Sequence, residues 1–268
     1  MSGFTPDWLA LRERVDHVAI NHAVRTACVR AFAGRESIRV VDLGCGTGSN
    51  LRSLAPDLPP NQHWTLVDND PRLLGIARQR CRETKFGRAI ETEFQLADLA
   101  KADWTSLLSG ADLVTASALF DLVSAEFIEQ FAAAVARQGA ALYTVLSYDG
   151  IAAFLPEHSA DAAMRKAFNH HQRRDKGLGP ALGPYAPDAL AATFERYGYV
   201  IRRGRSPWVL DNAQTALKNE LVRGWAKAVR ETGHVPEAVV DNWLSDRLSP
   251  ATVAIIGHED LLALPPGK

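Results

Sequence analysis

The stretch Val40-Val-Asp-Leu-Gly-Cys-Gly-Thr-Gly-Ser-Asn50 decides how the rest of the chain is read. It opens as an apolar strand that ends in an acid, Asp42, and then turns through three alternating glycines, Gly44, Gly46 and Gly48, toward a helix. Glycine lets the backbone turn sharply and approach a ligand with no Cβ in the way. A structural strand-to-helix turn needs one such residue, not three, so the spacing predicts a ligand loop. A dinucleotide site asks for G-x-G-x-x-G with a helix N-terminus facing a pyrophosphate, whereas this loop reads G-x-G-x-G behind Asp42. A carboxylate there would repel a pyrophosphate and attract a cation. No G-x-x-x-x-G-K-[ST] occurs, which removes a P-loop.

Outward from the loop, short apolar runs recur at 38–43, 63–68, 91–97, 112–117 and 140–147, separated by helix-like segments near 49–55, 71–84, 101–108 and 124–136. Strands that are apolar throughout and alternate with helices predict a parallel sheet covered on both faces, a doubly wound α/β core over about 36–148. Further strands expected at 199–206 and 251–257 would complete a mostly parallel seven-stranded sheet. Before the core, apolar side chains at helical spacing over 5–33, followed by Gly34, predict one or two helices and hence an N-terminal helical cap over 1–35. The remainder, 36–268, reads as one domain with helical insertions at about 149–186, after strand 5, and 211–247, after strand 6. The first insertion holds tandem histidines, a basic cluster and the Gly/Pro-rich stretch 177–184, and reads as a lid or binding loop.

Composition narrows the partners. The 268 residues are 47% hydrophobic and 23% charged, with a formal net charge of −1, so no overall positive field draws nucleic acid or an anionic membrane. Cys28, Cys45 and Cys81 show no C-x-x-C spacing, which fits a reducing compartment and a cytoplasmic location. No stretch approaches the roughly 20 apolar residues of a membrane span, and the N-terminal residues lack a signal-peptide pattern.

The segment Asp42-Leu-Gly-Cys-Gly-Thr-Gly-Ser-Asn50 resembles the first motif of class I S-adenosylmethionine-dependent methyltransferases, and the further motifs follow in order. The resemblance covers about residues 36–148. It implies that S-adenosylmethionine, which carries an ammonium and a sulfonium but no phosphate, is the cofactor, bound around Asp42, Gly44, Cys45, Gly46, Gly48 and Asn50. Asp68, at the end of the second strand, takes the family's ribose role, with Asn69 beside the adenosine; Asp70 reads as a helix cap. Asp98 and Leu99 receive the adenine, and Ser117, after the fourth strand, faces the methyl group. The implied activity is methyl transfer to an O, N or C atom of a small-molecule acceptor, giving S-adenosylhomocysteine. A catalytically silent cofactor-binding sensor or scaffold and a nucleic-acid methyltransferase are the alternatives. The second lacks both a basic stripe and an [ND]-P-P-[YFW] motif, since Ala116-Ser-Ala-Leu119 stands in that place.

Because the sulfonium activates its own methyl group, the protein has to position the acceptor, exclude water and, for a hydroxyl, take a proton. His171 is the expected base, with Asp175 four residues on as its partner if the segment is helical; Asp121 is a second candidate that reads equally as a helix cap. Phe120, Tyr148 and Trp208 near strand ends could wall a ring-bearing acceptor or belong to the core, and His170 and Arg174 lie on one helix side where an anionic acceptor could be held. Adjacent histidines on a helix point about 100° apart and no third ligand is spaced near them, so no metal is expected. Oligomeric state is not readable.

Overall fold

The computed structural model describes residues 4–87 and 89–267. Five strands lie parallel: β1 (Ser37–Leu43), β2 (Asn61–Asp68), β3 (Ala89–Leu96), β4 (Leu113–Ser117) and the first part of β5 (Ala141–Leu155). The chain then adds β6 (Val200–Arg205), β7 (Trp208–Leu210) and β8 (Val253–Leu264). Among the described residues the order is β3-β2-β1-β4-β5-β8-β6, with β7 also on β8, and β8 antiparallel to β5, β6 and β7. The order reverses between β1 and β4, and a doubly wound sheet opens its ligand crevice at the carboxyl ends of the strands beside such a reversal.

The reason β1 is apolar on consecutive residues is visible in its packing. Ile38 and Val40 join a core that includes Trp64, Phe32 and Trp225, while Val41 and Leu43 join the opposite core around Phe120, Phe131 and Phe194. Both faces are therefore covered. Helices α2 (His22–Ala31), α3 (Ser49–Leu54) and α4 (Pro71–Glu83) contribute to the first core; α6 (Ala125–Gln138) and α8 (Ala186–Arg196) contribute to the second. Asp70 caps α4 by accepting from the Arg72 N–H at 2.8 Å, as its sequence position suggests. Ser124, not Asp121, caps α6. The short α5 (Trp104–Leu107) follows β3.

N-terminal helices are present, as α1 (Pro6–Ala19) and α2; residues 1–3 of the expected cap lie outside the described residues. β8 runs on past the expected 251–257 to Leu264, and two further features differ from the sequence reading. β5 runs on to Leu155 through the first part of the expected insertion, because residues 152–155 pair with 253–256 of β8 past two register shifts. Leu146 has φ 60° at the first of these irregularities, where its N–H donates to the buried Asp260 carboxylate at 2.8 Å. The second difference is β7, an additional three-residue strand. Beyond β5, α7 (Asp161–Gln172) leads to the Gly/Pro-rich segment, and α9 (Thr215–Thr232) and α10 (Glu237–Arg247) occupy the second insertion. No helix among the described residues is long and apolar enough to cross a membrane.

Candidate active site

The glycine loop sits at the carboxyl end of β1. Gly44, Gly46 and Gly48 have φ of 60°, 54° and 78°, a region that L side chains rarely enter. At Gly46 the space is also limited, since a Cβ would lie 3.2 Å from Leu9 of α1. The loop is tied to β2 by the Cys45 N–H donating to the Val67 carbonyl at 2.9 Å. Asp68 braces it further: one carboxylate oxygen accepts from the Gly46 N–H at 2.8 Å and the other from the Asp70 N–H at 2.9 Å. The Asn69 N–H also acts on this carboxylate, whose roughly four acceptor sites still leave room for a ligand hydroxyl. Burial pushes the Asp68 carboxyl up, opposed by these backbone donors.

Asp42 is 1% exposed. Its Oδ1 accepts from the Asn50 side chain at 3.2 Å, and Asn50 also donates to Thr115 Oγ1 at 2.6 Å. Asp42 Oδ2 is buried without a partner, and burial pushes this carboxyl up to about 7, with the Asn50 hydrogen bond opposing and the Asp68 charge reinforcing the shift. A buried acid with an orphaned oxygen beside Cβ-free backbone suits a positively charged nucleoside, whose cation would supply the missing countercharge.

These residues form one side of a cavity of about 680 Å³. Asp42, Gly44, Cys45, Gly46, Asn50, Asp68, Asn69, Asp98, Leu99 and Ser117 all line it; Gly48 lies behind, shaping the turn into α3. Asp98 also closes the turn after β3 by accepting from the Ala100 N–H at 3.0 Å. The facing wall comes from α1 (Leu9, Arg12, Asp16), from His171 and the segment after it, and from α9 (Gly224, Lys227, Ala228, Glu231). α1 is clamped to the loop side. Glu13 accepts from Arg52 at 2.8 Å and from Arg80 at 2.7 Å, Arg52 donates to the Thr47 carbonyl at 2.6 Å, and His17 lies 2.9 Å from Ser49 Oγ.

The acceptor-side expectations fare unevenly. His171 lines the cavity, but its partner is Glu231, with Nε2 and Oε2 2.8 Å apart, and not Asp175. α7 stops at Gln172, so the four-residue helical spacing is lost and Asp175 accepts from the Gly177 N–H instead. His171 Nδ1 is buried and without a partner. Arg174 lines the cavity and donates to the Glu231 carbonyl at 2.8 Å. His170 is exposed outside it, its ring 4.6 Å from that of His234. Phe120 is wholly buried against Phe131, a core residue. Tyr148 lies within β5 and donates to Asn169 Oδ1 at 2.7 Å. Trp208 lies within β7, donating to Asp16 Oδ1 at 3.0 Å with the Arg12 guanidinium 5.0 Å from its ring, so it supports the wall without lining it. Asp121 also stands behind the lining, with a buried orphaned oxygen and a carboxyl that burial pushes up to about 6.

Sequence reasoning missed Glu231 and Lys227. Both sit among other charged residues of a surface helix, and no local pattern separates them from a solvated face.

The methyltransferase-domain family model matches residues 40–140. Among solved structures, a cyclopropane-fatty-acyl-phospholipid synthase-like protein from Lactobacillus casei is 15% identical over 98% of this chain and 95% of its own, with a TM-score of 0.55. The YcgJ protein from Bacillus subtilis is 13% identical over 92% of this chain and 100% of its own, with a TM-score of 0.53. A methyltransferase-like structure from Bacillus halodurans is 14% identical, covering 89% and 96% of the two chains, with a TM-score of 0.51. At such identities the likeness is one of fold. The chain has no match among the curated proteins. The matched segment holds the glycine loop, the acids after β2 and β3 and the reversal between β1 and β4, so residues 40–140 carry a methyltransferase domain.

Proposed function

We propose that the chain methylates a small-molecule acceptor held inside the 680 Å³ cavity, with His171 taking the acceptor's proton. The observation that carries this reading is the facing wall. α1, α9 and the segment after α7 belong to the chain itself and close over the cofactor side, leaving a volume typical of small-molecule sites. When bound, the cofactor supplies a methyl group already activated by its sulfonium. Asp42 meets the cationic part of the cofactor, Asp68 its ribose hydroxyls, Asp98 and Leu99 its adenine, and Ser117 the reacting end. With Glu231 accepting from Nε2–H, His171 carries its lone pair on Nδ1, the tautomer that can accept a proton from a hydroxyl or an ammonium.

Incubating the purified chain with methyl-labelled S-adenosylmethionine and a cell extract split by ultrafiltration tests the reading. Label is expected in the low-mass fraction. Label confined to nucleic acid or protein would overturn the small-molecule assignment.

A further inference from the structure

Charge is divided between the two walls of the cavity. The cofactor side contributes Asp42, Asp68, Asp70 and Asp98 and no lysine or arginine; all four lining cations, Arg12, Arg174, Lys176 and Lys227, come from the facing wall. Most of the charge on that wall is matched locally. Arg12 pairs with Asp16 at 2.8 Å, Arg174 and His171 share Glu231, and Asp175 is bound to the Gly177 N–H. The ammonium groups of Lys176, half-buried, and Lys227, exposed, form no hydrogen bond or ion pair among the described residues. They approach from separate parts of the chain, Lys176 from the segment after α7 and Lys227 from α9, one helical turn before Glu231.

We propose that the acceptor carries an oxyanion, a carboxylate or a phosphate, held by Lys176 and Lys227, which turns its nucleophilic end toward the acidic cofactor side. The inference rests on reading the cavity as the acceptor site. An ammonium drawn partly out of water without a counter-ion is unfavourable, and a bound oxyanion relieves that cost. Lys176 is in this condition: burial pulls its ammonium down from its ordinary value, while Glu231 and Asp121 act on it only at longer range and Arg174 opposes them. Glu231 faces Lys227 as well but is held by His171, whose hydrogen bond is the main cause of its lowered carboxyl. The same polarity disfavours an anion on the cofactor side, where Asp68 has only backbone N–H donors and no cation of that side lines the cavity; Asp70 is paired with Arg72, and Asp42, pushed up to about 7, is charged only in part. An anionic acceptor therefore has one favourable orientation, and a neutral one has none imposed on it. Arg174, the cation that the sequence singles out, is engaged with Glu231 and serves the wall.

Calorimetry on the protein saturated with S-adenosylhomocysteine, using benzoate, inorganic phosphate and neutral benzamide as probes, tests this directly. Benzoate or phosphate is expected to bind at least tenfold more tightly than benzamide, and the stronger of the two identifies the oxyanion. Lys176→Met and Lys227→Met should each weaken that binding severalfold, Lys176→Arg should restore most of it, and the affinity for S-adenosylhomocysteine should stay unchanged in all three, which also shows that they fold. Equal binding of charged and neutral probes, or charge removal without effect, would overturn the oxyanion proposal while leaving the methyltransferase reading intact. Failure of the wild-type protein to bind S-adenosylhomocysteine would remove both.

Discussion

Asp42 concentrates the electrostatics of the cofactor side in one residue. Its carboxyl is pushed up to about 7 from an ordinary value near 3.8, so the folded chain retains a proton that the unfolded chain has released. Stability from this group is full below the unfolded value and is lost as pH rises through the folded one, between about 4 and 7. Asp121, pushed up to about 6, acts in the same direction over a narrower window. Buried His258, pulled down to about 3, acts in the opposite sense over much of the same range, so the Asp42 contribution is read by difference: the stability of the ligand-free protein relative to Asp42→Asn should fall from pH 4 to 7, and melting curves of both across the range decide. A cationic ligand reverses the cause of the shift. Binding of S-adenosylmethionine near pH 6.5 is expected to release a proton, measurable as a dependence of the calorimetric heat on buffer ionisation enthalpy, and Asp42→Asn should remove the dependence. At Gly46, positive φ and a Cβ position 3.2 Å from Leu9 coincide, so Gly46→Ala should cost about 1 kcal/mol or more in stability and weaken cofactor binding. His171→Asn should lower kcat by roughly 10²–10⁴ with cofactor affinity unchanged. An unchanged kcat would assign proton removal to another group.

At the level of elements, much was legible. The cores of β1, β2 and β4 follow the apolar runs closely, because each strand is covered on one or both faces and its pattern records that covering. The distal half of β5 was not legible: Asp149-Gly150 reads as a turn, and only pairing of residues 152–155 with β8 holds it extended. β7 escaped notice because Trp208–Leu210 is too short to display a period. The N-terminal helices were legible as helices, but they act differently. α2 places Val24 and Cys28 in the core, with Phe32 at its end, so removing residues 1–33 would damage the fold along with any cap. The narrower test is Glu13→Gln, which weakens the Arg52 and Arg80 contacts that clamp α1 to the loop side. It should reduce cofactor affinity severalfold with a small change in Tm; an unchanged affinity would make α1 a purely structural element.

For the whole molecule, the site divides into a half that is local in sequence and a half that is not. The sequence by itself determined the doubly wound core, the cofactor and most of the residues that line the cavity at the ends of β1 to β4, because the Cβ-free turn and the acids at strand ends follow directly from the strand–helix alternation. Tertiary structure alone decided the facing wall. Glu231 displaces Asp175 as the partner of His171, Lys227 joins Lys176, and Phe120, Tyr148 and Trp208 turn out to be packed behind the wall rather than on it. The physical reason is that a helix or strand records in its period only which face is buried, not which other element will cover it. α7 and α9 meet through the packing of their apolar faces, and the charged residues at their margins become neighbours only once that packing is made.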